Sequence, residues 1–224
     1  MKVTVRHSQA RFQDGIVMKA KKIKKNFSSF NANEALQELQ VNELIRWEIG
    51  FQPYQSSPFL PERLRRLENF DLTFSERAKE LLIDAFCEEV VEKHSHLKIW
   101  KAAPLHSDEL TGQVDYLIAP KRAYLSTPLL CVVEAKKDDF EKGLAQCLVE
   151  MKACRWNNEQ AGNQIDVYGI VTNGEVWKFY KLSIEGQVFE TLPYSLGDRD
   201  KILGILEQVF TKCEESLSKL STRA

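Results

Sequence analysis

The sequence predicts an α/β fold of the α+β type, built on a mixed sheet, and three features carry that prediction. Two long amphipathic runs almost free of breakers, SERAKELLIDAFCEEVVEKH and FEKGLAQCLVEMKACRW, have helical periodicity. Between and after them lie β-rich runs at 113–119, 129–136, 165–172 and 175–182. The last two flank Asn173-Gly174, the strongest short hairpin signal in the chain.

Composition sets the outer limits. A chain of 224 residues has room for one full domain and an appendage, and 43% hydrophobic with 28% charged residues suits a globular chain that buries its own core. Lys and Arg total 31 against 32 Asp and Glu, a formal net charge of −1, so binding to a polyanion has to come from a local patch. No run approaches the length of a membrane helix, and the polar start MKVTVRHSQARFQDG lacks the apolar segment of a signal peptide, so a cytoplasmic protein without a membrane partner is expected. Cys87, Cys131, Cys147, Cys154 and Cys213 each sit in an apolar run, which suits reduced core residues better than disulfides or a zinc site.

Residues 1–71 read as an N-terminal appendage. Lys2 to Arg6 alternates like a short strand, and Lys19, Lys21, Lys22, Lys24 and Lys25 form a basic run, either a phosphate grip or a solvated segment. Asn31 and Glu34 resemble a capping box opening a helix that Gly50 ends. Pro53, Pro58 and Pro61 then mark a linker or extended loop. Residues 72–224 read as the core. Thr73 and Glu76 form a second capping box before the first long helix, LKIWKAA is a strand, GQVFETLP adds an edge strand, and 198–220 is a terminal helix. The order is α-β-β-β-α-β-β, then α.

The chemistry concentrates in three places. In the strand 129–136, Glu134 and Lys136 share a face at the end of an otherwise apolar run. In the strand before it, Asp115 stands between the apolar neighbours Val114 and Tyr116. A hairpin turning on a loop from Lys121 to Pro128 puts Asp115 opposite Glu134, with β-carbons about 4.5–5.5 Å apart. Two carboxylates so placed repel unless one is protonated or a cation bridges them, and a hard divalent ion is the natural bridge. The competing reading is a solvated strand end with an ordinary acid–lysine pair. The first helix adds a third acid. Glu89 falls about 20° from Ala78 on the helical wheel, in the middle of the apolar stripe, where an unpaired charge is costly. It serves either the site or a structural ion pair with Lys101 or Arg122, and Glu92 is the fallback. His94, His96 and His106 straddle a helix end, a strand and a loop, and read as structural.

An acid on a helix, then Asp115, then Glu134-Ala135-Lys136, then an amphipathic helix carrying Gln146, resembles the PD-(D/E)XK nuclease superfamily over about residues 72–182. GQVDYLIAP, CVVEAKK and VYGIVTNGEVWKFY are most similar to the nuclease domain of type I restriction endonuclease motor subunits and their stand-alone relatives. The resemblance implies a restriction-endonuclease-like αβββαβ core and Mg²⁺-dependent endonucleolytic hydrolysis of DNA, with Mn²⁺ as a substitute. It also implies the roles. Asp115, Glu134 and the carbonyl of Ala135 hold the metal, Lys136 orients or activates the attacking water, and Glu89 joins through water or a second ion. Gln146 matches the glutamine that often follows on the next helix, although it lies about 200° from Leu144, away from the apolar side. Val114 replaces the proline that names the motif. Lys137 beside the site, with Lys21, Lys22, Lys24 and Lys25, is the candidate contact to the DNA backbone. A homodimer and a separate specificity or motor protein are the implied partners, since no GxxxxGK[ST] motif is present. The alternative is a non-catalytic nucleic-acid-binding or assembly module that keeps the fold.

Overall fold

The computed structural model describes residues 23–221. Lys19, Lys21, Lys22 and the strand expected over 2–6 lie outside the described residues. Within them the fold is α+β. Five helices cover a nine-stranded mixed sheet, and the central elements run α-β-β-β-α-β in chain order.

Helix α3 (Glu76–Val91) opens that sequence, and Ser75 caps it by accepting from the Ala78 amide at 3.2 Å. The expected box partner Thr73 instead bonds Asp71, at 2.9 Å through its amide and 2.7 Å through its hydroxyl. Strands β3 (Leu97–His106) and β4 (Leu110–Pro120) form one long antiparallel hairpin, longer than the sequence pattern suggests. Pro104 is tolerated inside β3 because that strand pairs with β4 alone and needs no donor on its outer side. Strand β5 (Cys131–Ala135) is antiparallel to β4, helix α4 (Phe140–Gln160) crosses over, and β6 (Val167–Thr172) returns parallel to β5. The Asn-Gly turn then leads into β7 (Val176–Leu182), paired antiparallel to β6. At this turn Gly174 has φ 83°, and a β-carbon there would lie 3.0 Å from Leu82 of α3. Strands β8 (Val188–Glu190) and β9 (Tyr194–Ser195) extend β7, and α5 (Arg199–Ser221) closes the chain.

Residues 23–70, the described part of the N-terminal region, pair with the sheet of this body. Strand β1 (Lys25–Asn26) adds to β4 and β2 (Ile45–Arg46) adds to β8, so the segment contributes to the sheet at both ends. Helix α1 (Ala32–Glu38) has the predicted Asn31–Glu34 capping box but stops well before Gly50. Gln40, at φ 56°, turns the chain so that Leu39, Val41 and Leu44 pack on the α4 side of the sheet. The proline-rich stretch carries helix α2 (Phe59–Leu67), which starts at the N-cap Pro58 and holds Pro61 in its first turn. Proline costs nothing there because first-turn amides have no intrahelical acceptor.

Two apolar layers sandwich the sheet. One joins α2, α3 and α5 to Tyr116, Ile118, Val133, Phe179 and Trp177, and the other joins α1 and α4 to Leu117, Val132 and Val171. The β3–β4 hairpin rolls between them midway. Leu97, Tyr116 and Ile118 face the first layer, whereas Ala103, Leu105 and Val114 face the second. The pivot is Ala102 paired in sequence against Asp115. Ala102 has φ 50°, and this position is missing from a ladder that is regular on both sides, Lys101 with Tyr116 and Ala103 with Val114. A left-handed alanine costs about 1–2 kcal/mol. His94 ties the end of α3 to α5, with its ring nitrogens 3.2 Å from Glu207 and 3.1 Å from Glu214. No helix among the described residues is long and apolar enough to cross a membrane.

Candidate active site

The hairpin register that the sequence suggests is the one observed. Tyr116 pairs with Val133, Leu117 with Val132 and Ile118 with Cys131, so the next position brings Asp115 to Glu134. The backbone ladder stops there and a side chain takes over. Asp115 Oδ2 accepts a hydrogen bond from the Ala135 amide at 2.8 Å. Because the hairpin rolls at Asp115, its carboxylate leaves the core face and reaches along the end of β5. Glu134 is wholly buried beneath it, and Lys136, the first residue past β5, binds Glu134 Oε1 through its ammonium. Lys136 Nζ also lies 3.7 Å from Glu76 Oε1 at the start of α3. Helix α4 approaches closely because position 143 is glycine. A β-carbon there would lie 2.6 Å from Val171 and 2.9 Å from Lys136 Cγ.

Below Glu134 lies an acid that the sequence reading passed over. Glu150 of α4 is fully buried and accepts from Gln146 Nε2 at 3.0 Å. Gln146 is thereby brought to the site, since α4 is buried on both flanks and presents a polar stripe one turn apart among apolar neighbours. Glu134 Oε2 and Glu150 Oε2 are both buried with no partner. Burial first, and the neighbouring acids second, push both carboxyls up: Asp115 acts on Glu134, and Glu134 acts on Glu150. Burial also raises Asp115, against the opposing pull of the Ala135 amide and Lys136. For Lys136 burial acts downward, but Glu134, Glu76 and Asp115 outweigh it and the ammonium is held up. Four acids therefore share one cation in a site whose inner half is dry.

Other expected site residues stand elsewhere. Glu89 does not join the cluster. Its carboxylate accepts from the Ser57 amide at 2.6 Å and the Ser57 hydroxyl at 2.7 Å, which anchors the chain ahead of α2. It is thirteen residues along α3 from Glu76, about 20 Å at 1.5 Å per residue. Neither of the ion-pair partners weighed for it is used, as Lys101 binds Asp84 at 2.9 Å and Glu80 at 3.0 Å. The acid that α3 does bring is Glu76, which sequence pattern had assigned to capping. Lys24 binds the Ser107 carbonyl, and Lys25 pairs with Glu34 at 2.9 Å on β1, so both are engaged away from Asp115. Lys137 is exposed directly beside Lys136.

No protein-family model matches the chain. One curated protein shares a short segment: 62 residues, 25% of this chain, are 36% identical to Crinkler effector protein 1 of Rhizophagus irregularis. The match spans 13% of that protein's length.

The residues present can be tested against a divalent ion. Among the described residues no three histidine, cysteine or carboxylate groups are gathered closely enough to enclose one. Lys136 sits on Glu134 Oε1, so an ion that uses that oxygen has to displace the ammonium. The donor set nevertheless suits a hard cation, with oxygen ligands on adjacent strands, an excess of negative charge, and a Glu134 oxygen left without a partner.

Proposed function

We propose that the chain is a divalent-metal-dependent phosphodiesterase acting on DNA, with Asp115, Glu134 and Lys136 as its catalytic group. The observation that carries this reading is the meeting of Asp115 with Glu134 and the Ala135 amide at the end of β5, with Lys136 adjoining. An isolated surface ion pair needs none of the rest, neither the rolled hairpin nor the second buried carboxyl. DNA as the substrate follows from the PD-(D/E)XK resemblance. The short likeness to a protein named as an effector is compatible with such an enzyme acting as one.

Asp115, Glu134 and the Ala135 carbonyl would hold Mg²⁺ or Mn²⁺, which when bound supplies a Lewis acid for the phosphoryl oxygen and a water acidic enough to attack. The chain's own groups do the rest. The Ala135 amide fixes the Asp115 carboxylate so that it does not reorient as charge builds. Lys136, freed from Glu134, sets an ammonium beside the attacking water. Gly143 leaves that side chain the room it needs, and Gln146 with Glu150 backs the Glu134 carboxyl from below.

The test is incubation of the purified chain with plasmid and with linear single-stranded DNA in Mg²⁺ or Mn²⁺, beside Lys136→Ala and Asp115→Ala. The wild type is expected to cut, and each variant to lose at least about 100-fold in rate. Cleavage that survives both substitutions refutes the assignment. A folded wild type that binds DNA and never cuts it leaves the binding-module alternative.

A further inference from the structure

We propose that Phe74 is a stacking platform for an unpaired base, so that the strand served by this site is single-stranded or frayed. The inference rests on the nuclease reading and narrows its substrate.

The connector between α2 and α3 exposes two phenyl rings, Phe70 at 57% and Phe74 at 81%. Leaving a phenylalanine in water forgoes the gain that burial would bring, so two in one short connector ask for an occupant. The connector is also ordered. Asp71 accepts from the Thr73 amide at 2.9 Å and hydroxyl at 2.7 Å, and Ser75 caps α3, which together hold Phe74 outward between two fixed points.

Its position relative to the candidate site gives the ring a role. Phe74 is two residues before Glu76, a backbone span of at most about 7 Å, and Glu76 Oε1 lies 3.7 Å from Lys136 Nζ. A base beside the phosphate at Lys136 therefore falls within reach of the ring. Lys137 faces the same connector. The Asp71 carboxyl is held below its ordinary value by the Thr73 hydroxyl and amide first, and by Lys137 more weakly. Arg77 is exposed one residue beyond Glu76.

The start of α4 carries more acids than cations, which disfavours a second phosphate backbone there. Asp138, Asp139 and Glu141 are exposed at the start of α4, with the exposed Lys142 beside them. A duplex would bring phosphates to both rims, whereas a single strand can keep to the α3 side. A paired base, stacked on both faces, has none to offer a protruding phenyl ring, and an unpaired base does.

The experiment measures binding of the full chain to a single-stranded oligonucleotide containing 2-aminopurine and to its duplex, with Ca²⁺ in place of Mg²⁺ so that strands stay intact. Wild type should quench the probe and bind the single strand more tightly than the duplex. Phe74→Ala and Phe74→Leu should each weaken single-strand binding about tenfold and relieve the quenching, while Phe74→Trp keeps both. Being exposed, position 74 accepts all three without threat to the fold, and the leucine variant separates stacking from simple apolar contact. If Phe74→Ala binds within twofold of wild type, or if the duplex binds as well as the single strand, this inference fails and the nuclease reading stands. If the folded wild type binds neither oligonucleotide, both fail together.

Discussion

Glu89 and Glu134 are both buried glutamates, and the chain treats them in opposite ways. Both oxygens of Glu89 are satisfied by Ser57, with two short hydrogen bonds from one residue. Glu134 has one oxygen on an ammonium and the other on nothing, beside a second acid, Glu150, that also has an unmatched oxygen. A buried charge with its hydrogen bonds complete is a structural fastening. A buried acid left incomplete is held at an energetic cost, since an unsatisfied group loses its solvation with nothing in return. The difference separates an acid that serves the fold from one available for chemistry, and burial or helical phase alone does not reveal it.

Substitutions can break or sharpen that contrast. The largest effect is expected at the incomplete acid. Glu134→Gln should reduce DNA cleavage by at least about 1,000-fold in protein that circular dichroism shows to be folded. A rate near wild type in a single-turnover assay would remove Glu134 from the chemistry. Glu89→Gln should do the reverse, costing about 1.5–3 kcal/mol in denaturant titration, since the bonds lost are charge-assisted, with cleavage per folded molecule unchanged. A cleavage defect as large as that of Glu134→Gln would erase the distinction drawn between them.

A smaller effect comes from pH. Glu134 and Glu150 have raised values in the folded chain, so both hold protons that the unfolded chain releases near the ordinary carboxylate pKa. The resulting stability is fully present below that ordinary value and is lost as pH rises through the raised ones. Without metal, unfolding free energy should fall between about pH 5 and pH 8, and Glu150→Gln should flatten that fall. An unchanged slope would show that the pair does not titrate in this window. Mn²⁺ should then stabilise the wild type, by about 2.7 kcal/mol at a hundredfold excess over its dissociation constant, and should leave Asp115→Ala unmoved. Equal shifts in the two proteins would place the ion elsewhere. The smallest effect is expected at β1. Lys25→Ala removes an exposed pair with Glu34 and should change neither melting temperature nor DNA binding measurably.

The pairing of Asp115 with Glu134 followed from one choice of loop, Lys121 to Pro128, and the observed register agrees with it, although β5 is buried on both faces and alternation alone does not fix it. The capping box at Asn31 and the hairpin at Asn173-Gly174 were readable because their chemistry is local. Where the reading went astray, a local signal had two uses. Pro58 and Pro61 looked like breakers and instead open α2. Glu76 looked like a capping side chain and instead turns to Lys136. Glu150 left a trace in its i, i+4 spacing from Gln146, an acid within a buried stretch of helix, but the same spacing is common on solvated helix surfaces.

By itself the sequence determined the order of the central elements α-β-β-β-α-β and put Asp115, Glu134 and Lys136 on neighbouring strands, since these follow from periodicities of two and 3.6 residues. Only tertiary structure decided which acids complete the cluster. Helical phase says that Glu89 points inward, but the partner waiting there is Ser57, contributed from thirty-two residues away. Only packing of α4 against β5, made close by Gly143, brings the buried Glu150 beneath Glu134, so that two raised carboxyls share one dry site.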